Sequence, residues 1–292
     1  MTKLYLKGCG TALLTPFSNG RVDLETFARL IDRQIGEGVH FLVPLGTTGE
    51  TPCLSDEEKV SVLKVAKAHS AGRPVMVGVG TNSLAGTLHN MELLSEADAF
   101  LVVVPYYNKP TQEGQYEYFK AVAGAASGTP VVLSNVPGRP GVNMTSATTL
   151  RLAREVENIV AIKEASSNYR QICEILRGRP EGFSVLSGND DETLSLMASG
   201  ADGIISVVSN VAPAEMVRLA EAMERGDLSE ARDLHYRLLP LCKACFVESN
   251  PIPAKAAMSL LGLMENELRL PLVKASAATE ALMSEVLKEL GL

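Results

Sequence analysis

The sequence predicts an α/β fold: a (β/α)8 TIM barrel with a C-terminal helical extension. Three observations lead there. Short apolar runs recur through the first three quarters of the chain, and continuous apolar runs mark strands buried on both faces of a parallel sheet. Segments of helical period lie between them, and such alternation gives parallel strands with right-handed crossovers. Eight of these units fit into about 225 of the 292 residues. That number suits a closed barrel better than an open doubly wound sheet, and barrels reach this length as one domain.

The apolar runs cover 10–17, 41–46, 75–80, 100–105, 131–136, 159–165, 183–188 and 203–209. The first helix, 23–36, puts Leu24, Phe27, Leu30 and Ile31 on one face. The second, 55–68, opens with Ser55-Asp56-Glu57-Glu58, an N-cap followed by Glu at the third helical position. Further helices are predicted over 115–126, 146–154, 169–176, 191–198 and 213–225. From Asp227 onward only helices are expected: one opened by Asp227-Leu228-Ser229, a second started by the break at Asn250-Pro251, and a third over 272–290. The last carries Val273, Ala277, Leu282, Val286, Leu287 and Leu290. The barrel is therefore assigned to 1–226, and 227–292 to a helical region packed on it.

Composition narrows the function. Hydrophobic residues make up 46% of the chain, enough for a large core, yet no run reaches the roughly 18 residues that cross a bilayer. The first seven residues lack the long apolar stretch and cleavage site of a signal peptide. The net charge of −7 is dispersed, with no basic cluster for nucleic acid or a membrane surface. Five cysteines at scattered spacings suggest a reduced, cytoplasmic protein. Cys242 and Cys245 form a C-x-x-C pair without a second pair, which reads as two small buried hydrophobes rather than a zinc or redox site. The four histidines have no ligand spacing. Neither a metal nor a nucleotide cofactor is expected.

Barrel chemistry sits at the C-terminal ends of the strands. Lys163 interrupts the apolar run Ile159-Val160-Ala161-Ile162, and lysines are seldom found in the middle of a buried strand. Partial desolvation there would lower its pKa and free the amine to attack a carbonyl. The plainer reading is an exposed lysine, or one paired with Glu164. The turn Gly46-Thr47-Thr48-Gly49 offers backbone N–H groups and two hydroxyls, a nest for a carboxylate or phosphate, although an ordinary turn is the plainer reading of these four residues alone. Together they suggest an α-keto acid, with its carboxylate in the nest and its carbonyl at Lys163. Arg139, after a Pro-Gly turn, could clamp a second carboxylate or merely be a surface arginine. Tyr106 and Tyr107 could relay protons, although packing is the commoner role of such a pair.

These strand ends jointly resemble the dihydrodipicolinate synthase family of pyruvate-dependent class I aldolases. The resemblance rests on Gly46-Thr47-Thr48-Gly49-Glu50, the stretch 105–114, Asn135-Val136-Pro137-Gly138-Arg139, Ile162-Lys163-Glu164-Ala165, Ser187-Gly188-Asn189-Asp190 and the late stretch 246–255. It implies that Lys163 forms a Schiff base with pyruvate. Thr47 and Thr48 hold the pyruvate carboxylate, with Thr47 also in a proton relay. Tyr107 enters the relay of a neighbouring subunit. Arg139 receives the carboxylate of the second substrate, aspartate-4-semialdehyde, and Gly188 and Ile205 line the pyruvate site. The family is usually a homotetramer of tight dimers and serves lysine and diaminopimelate synthesis.

Two departures stand out. Where the family usually reads Tyr-Asn-Val-Pro, this chain has Ser134-Asn135-Val136-Pro137, so Ser134 replaces the central relay tyrosine. The stretch 80–98 is short, with Gly86 near the position of a lysine-binding glutamate, and Asp56 stands where some members carry histidine. The expected activity is condensation of pyruvate with aspartate-4-semialdehyde to 4-hydroxy-tetrahydrodipicolinate, impaired by Ser134. The rivals are an aldol lyase of sialic-acid or sugar-acid type, since fold alone does not fix substrate, and a non-catalytic pyruvate-binding protein.

Overall fold

A computed structural model of the chain describes residues 4–139 and 141–292. Met1–Lys3, part of the start read for a signal peptide, lie outside the described residues. The elements run β1 (Gly8–Ala12), β2 (Phe17–Ser18), β3 (Arg21–Val22), α1 (Leu24–Gly36), β4 (Phe41–Val43), α2 (Asp56–His69), β5 (Met76–Gly78), α3 (Leu84–Leu93) and β6 (Ala99–Val103). They continue with α4 (Gln112–Ala125), β7 (Val131–Asn135), α5 (Ser146–Glu155), β8 (Ile159–Glu164), α6 (Tyr169–Gly178), β9 (Ser184–Ser187), α7 (Thr193–Ala198), β10 (Gly203–Ser206) and α8 (Pro213–Arg225). Then α9 (Leu228–Ala244), α10 (Ile252–Leu260) and α11 (Ala277–Leu290) close the chain. No helix of the described residues is long and apolar enough to cross a membrane.

The chain divides into two compact units. Among the described residues, one comprises Met76–Ile205 with residues 4–7; the other comprises Gly8–Val75 with Ser206–Leu292. In the first unit β5 to β10 are all parallel and follow one another in chain order, each hydrogen-bonded to the next. Helices α3 to α7 are the crossovers that such parallel neighbours require. β7, with the sequence Val-Val-Leu-Ser-Asn, is buried along its whole length, as a strand covered on both faces must be. In the second unit β1 pairs parallel with β4, and α8 packs against β1 and α9. Helices α9 and α10 both pack on α11. A Cβ on Gly10 would lie 2.0 Å from the Phe41 ring, so only glycine lets β1 approach β4 here.

The cap read from the sequence at α2 is present. Ser55 and Glu58 form the full capping box at α2, with Glu58 Oε2 accepting from the Ser55 N–H at 2.9 Å. Four details differ from expectation. The first strand stops at Ala12, and the remainder of 10–17 runs into the β2–β3 hairpin. Helix α3 has no counterpart in the sequence reading. The 203–209 run ends as a strand at Ser206 and turns through a 3-10 segment, Val208–Asn210. The last helix starts at Ala277, capped by Ser276 and not at 272, which leaves Val273 59% exposed.

Candidate active site

Lys163 is the only half-buried residue in the otherwise buried β8. Successive strand residues point to opposite faces, so Lys163 and Glu164 diverge. The plainer reading of Lys163, a pairing with Glu164, does not hold: that carboxylate accepts from Asn135, Ser166 and Gln171. On the other face Lys163 stands in register with Ser134 of β7 and Leu186 of β9. Ser134 is 5% exposed. At the end of β9, a Cβ on Gly188 would fall 2.8 Å from Lys163 Cε and 3.1 Å from its Cγ. The lysine stem therefore lies against bare backbone.

The electrostatics suit a nucleophile. Burial, helped by the Arg139 charge and opposed by the buried Asp190 carboxylate, brings the Lys163 amine down to about 8. At pH 7 about a tenth of such an amine is neutral, against well under a thousandth for an ordinary lysine. Asp190 opens the turn after Gly188, a turn held by Ser187 Oγ donating to Asn189 O at 2.8 Å. Lys163, Ser134, Gly188, Asp190 and Arg139 thus gather at one end of β7 to β9. Ile205 is fully buried within β10.

Arg139 is exposed, in a turn closed by its own N–H donating to Val136 O at 2.9 Å. Tyr107 is 88% exposed with φ of 72°, a conformation uncommon outside glycine. Packing within this chain is therefore not its role. Tyr106, at 37%, is only partly covered.

In the other unit, Thr47–Gly49 form a 3-10 turn after β4. The N–H groups of Gly49 and Glu50 donate to Gly46 O and Thr47 O, each at 3.1 Å. What the turn can present to an anion is its leading N–H groups and the two hydroxyls. Thr47 is exposed; Thr48 is buried, its Oγ accepting from Asn250 Nδ2 at 3.0 Å. Accepting there leaves the Thr48 hydroxyl proton to be donated elsewhere. Asn250 lay within the quoted 246–255 stretch without a role.

A second lysine, also brought down to about 8 by burial, was not singled out in the sequence. Lys255 is fully buried in α10; its Nζ meets Glu50 Oε1 at 2.5 Å, donates to Glu267 O at 2.8 Å and lies 4.1 Å from the Phe17 ring centre. Fully enclosed and paired, it is a structural cation. It also anchors Glu50, whose backbone takes φ of 52° at the end of the threonine turn.

Comparison with known proteins identifies the family and the fold. The model of the dihydrodipicolinate synthetase family matches residues 5–290. The 4-hydroxy-tetrahydrodipicolinate synthase of Thermotoga maritima is 47% identical, with 98% of this chain and 99% of that protein covered. The crystal structure of dihydrodipicolinate synthase from the same organism superposes with a TM-score of 0.96 at 46% identity, covering 99% of both chains. The enzyme from Acinetobacter baumannii, solved in complex with pyruvate, gives 0.94 at 36% identity over 98% of this chain and 99% of its own. The fold is thus the (β/α)8 barrel that the sequence predicts. With the fold shared and the family model matching nearly the whole length, the chain belongs to the dihydrodipicolinate synthetase family.

Proposed function

We infer that the chain condenses pyruvate with aspartate-4-semialdehyde to 4-hydroxy-tetrahydrodipicolinate. The single observation that carries the mechanism is Lys163, its stem set against Gly188 and its amine brought down to about 8 chiefly by burial. The neutral amine adds to the keto carbon of pyruvate, and loss of water leaves the imine. Loss of a proton from the methyl carbon gives an enamine, whose carbon attacks the aldehyde. The amino group of the second substrate then adds to the imine carbon, closes the ring and expels Lys163.

In this reading Thr47 and Thr48 hold the pyruvate carboxylate, and Gly188 and Ile205 line its site. Arg139 takes the carboxylate of the semialdehyde. Ser134 occupies the place of the relay tyrosine. The exposure of Tyr107 supports a role toward a neighbouring subunit, as its relay part requires. We place the protein in the cytoplasm as a homotetramer of tight dimers, with the barrel over 1–226 and the helices of 227–292 packed on it. Sedimentation would test the assembly. The covalent lysine makes a separate cofactor unnecessary, so exhaustive chelation should leave the rate unchanged.

The deciding experiment is turnover of pyruvate with aspartate-4-semialdehyde, measured beside sialic acid and sugar acids as cleavage substrates. Product from the first pair alone supports the assignment. Preferential cleavage of a sugar acid would replace it with an aldol lyase, and binding of pyruvate without any turnover would leave a binding protein.

A further inference from the structure

Behind Lys163, on the opposite face of the sheet, lies a polar network that the chemistry above does not use. Asn135 of β7 and Glu164 of β8 stand in register, both fully buried. The carboxylate is met by neutral donors on both oxygens. Glu164 Oε1 accepts from Asn135 Nδ2 at 3.1 Å and from the Ser166 N–H at 2.9 Å. Oε2 accepts from Asn135 Nδ2 at 3.1 Å and Gln171 Nε2 at 3.2 Å. Burial raises the carboxyl above its ordinary range, and these bonds oppose the rise.

The same amides continue to the far end of the loop that follows β7. Asn143 Oδ1 accepts from Asn135 Nδ2 at 2.9 Å and from Gln171 Nε2 at 3.2 Å, and Asn143 Nδ2 donates to Gln171 Oε1 at 2.8 Å. Asn135 Oδ1 accepts from the Met144 N–H at 3.0 Å. One end of the loop, Asn135, thus bonds the carboxylate directly, and the other, Asn143, reaches it through Asn135 and Gln171, with Arg139 between them. A buried carboxylate is costly where an apolar residue would serve packing as well. A fully satisfied buried network selects one local conformation instead.

We propose that Glu164 is a positioning residue for the second substrate: its carboxylate, through Asn135, Gln171 and Asn143, holds the Arg139 loop where the guanidinium meets the carboxylate of an incoming aldehyde acid. The proposal rests on the reading of Arg139 given above. It also sets the strand's two faces to separate tasks, with Lys163 serving the keto acid and Glu164 the partner.

The test is steady-state kinetics for both substrates, with borohydride trapping of the pyruvate adduct, in E164Q, N143A, R139A and the double variant R139A/E164Q. Glu164→Gln keeps the shape but places an NH2 against donors, because both oxygens accept. E164Q and N143A should each raise the semialdehyde KM by about tenfold or more, the usual scale of a misplaced binding group. The pyruvate KM and the adduct yield should stay within about twofold. In the double variant, E164Q should add little to R139A. N143A lies outside the strands and carries the same prediction if E164Q folds poorly. Equal increases for both substrates, a lost adduct, or full additivity with R139A would overturn the positioning role. So would a normal semialdehyde KM in E164Q and N143A while R139A raises it. A normal semialdehyde KM in R139A itself would instead bring down the reading of Arg139, and the proposal with it.

Discussion

The side chain of Lys163 occupies space that any residue larger than glycine at position 188 would contest. A Cβ there would sit 2.8 Å from Lys163 Cε, and also 2.8 Å from Ala165 Cβ. Ala165, just after β8, is held to the neighbouring β7, since its N–H donates to Asn135 O at 2.9 Å. The lysine must therefore give way. Gly188→Ala should slow imine formation with pyruvate by about tenfold or more, the scale on which small misplacements of a reacting group are felt. Mass spectrometry of borohydride-quenched time points measures this. An unchanged rate would mean the amine does not depend on that close approach.

The pH dependence has a definite sign. Only the neutral amine attacks a carbonyl, and Lys163 is lowered to about 8, chiefly by burial. Adduct formation should rise as pH climbs through about 8 and level off above it. Asp190 holds the proton on, so Asp190→Asn should move the midpoint down; Arg139 drives it off, so Arg139→Ala should move it up. The adduct, one pyruvyl mass after reduction, should map to Lys163 and vanish in Lys163→Ala while the fold persists. A rise that continues toward the ordinary value of 10.5 would show the amine to be solvated.

The Glu50–Lys255 pair yields a test of a different kind. Removing one partner of a buried ion pair leaves a charge without compensation, at about 3–5 kcal/mol. Lys255→Ala should therefore lower Tm by on the order of 10 °C for a chain of this size. Replacing both, with Glu50→Gln and Lys255→Met, should cost less than Lys255→Ala alone. Calorimetry decides between them. A double replacement as damaging as the single one would mean that the pair is worth more than its desolvation.

What could be read from the sequence follows from which forces write a pattern into it. The strands were legible because burial on both faces produces runs such as Val131-Val132-Leu133. Lys163 was legible because a cation inside such a run is costly. Helix α3 was not, because its buried positions include Thr87 and Asn90, which bond to Tyr118 Oη and Val79 O. Polar residues satisfied in this way leave no apolar stripe. The first run misled at its end because Leu13, Leu14 and Phe17 are buried in irregular backbone and a hairpin, where burial no longer implies a strand. Lys255 was missed since the carboxylate it meets, that of Glu50, is far away in sequence. The divergence of Lys163 and Glu164 was available from strand alternation alone.

The position of Ser134 leads to the sharpest expectation. Cα partners on parallel neighbouring strands turn their side chains to the same face, so Ser134 and Lys163 share one. A serine hydroxyl extends about 2.4 Å from its Cα, whereas a tyrosine hydroxyl extends about 6.5 Å, by ordinary bond lengths. The atoms that a tyrosine would touch lie beyond Ser134 unless water bridges them. An aliphatic hydroxyl is also poorly suited to acid–base work near neutrality, while a tyrosine near 10 can be tuned. Loss of a proton relay commonly costs about 10²–10⁴ in rate. The amine of Lys163 keeps its surroundings, so imine formation should survive better than turnover. Ser134→Tyr should then raise kcat by at least about tenfold, with little change in the yield of trapped adduct. Steady-state kinetics of the two proteins, with adduct yields measured side by side, makes the comparison. An unchanged or lower kcat would mean that another group carries the proton, and the partly covered Tyr106 is the first to substitute by Phe.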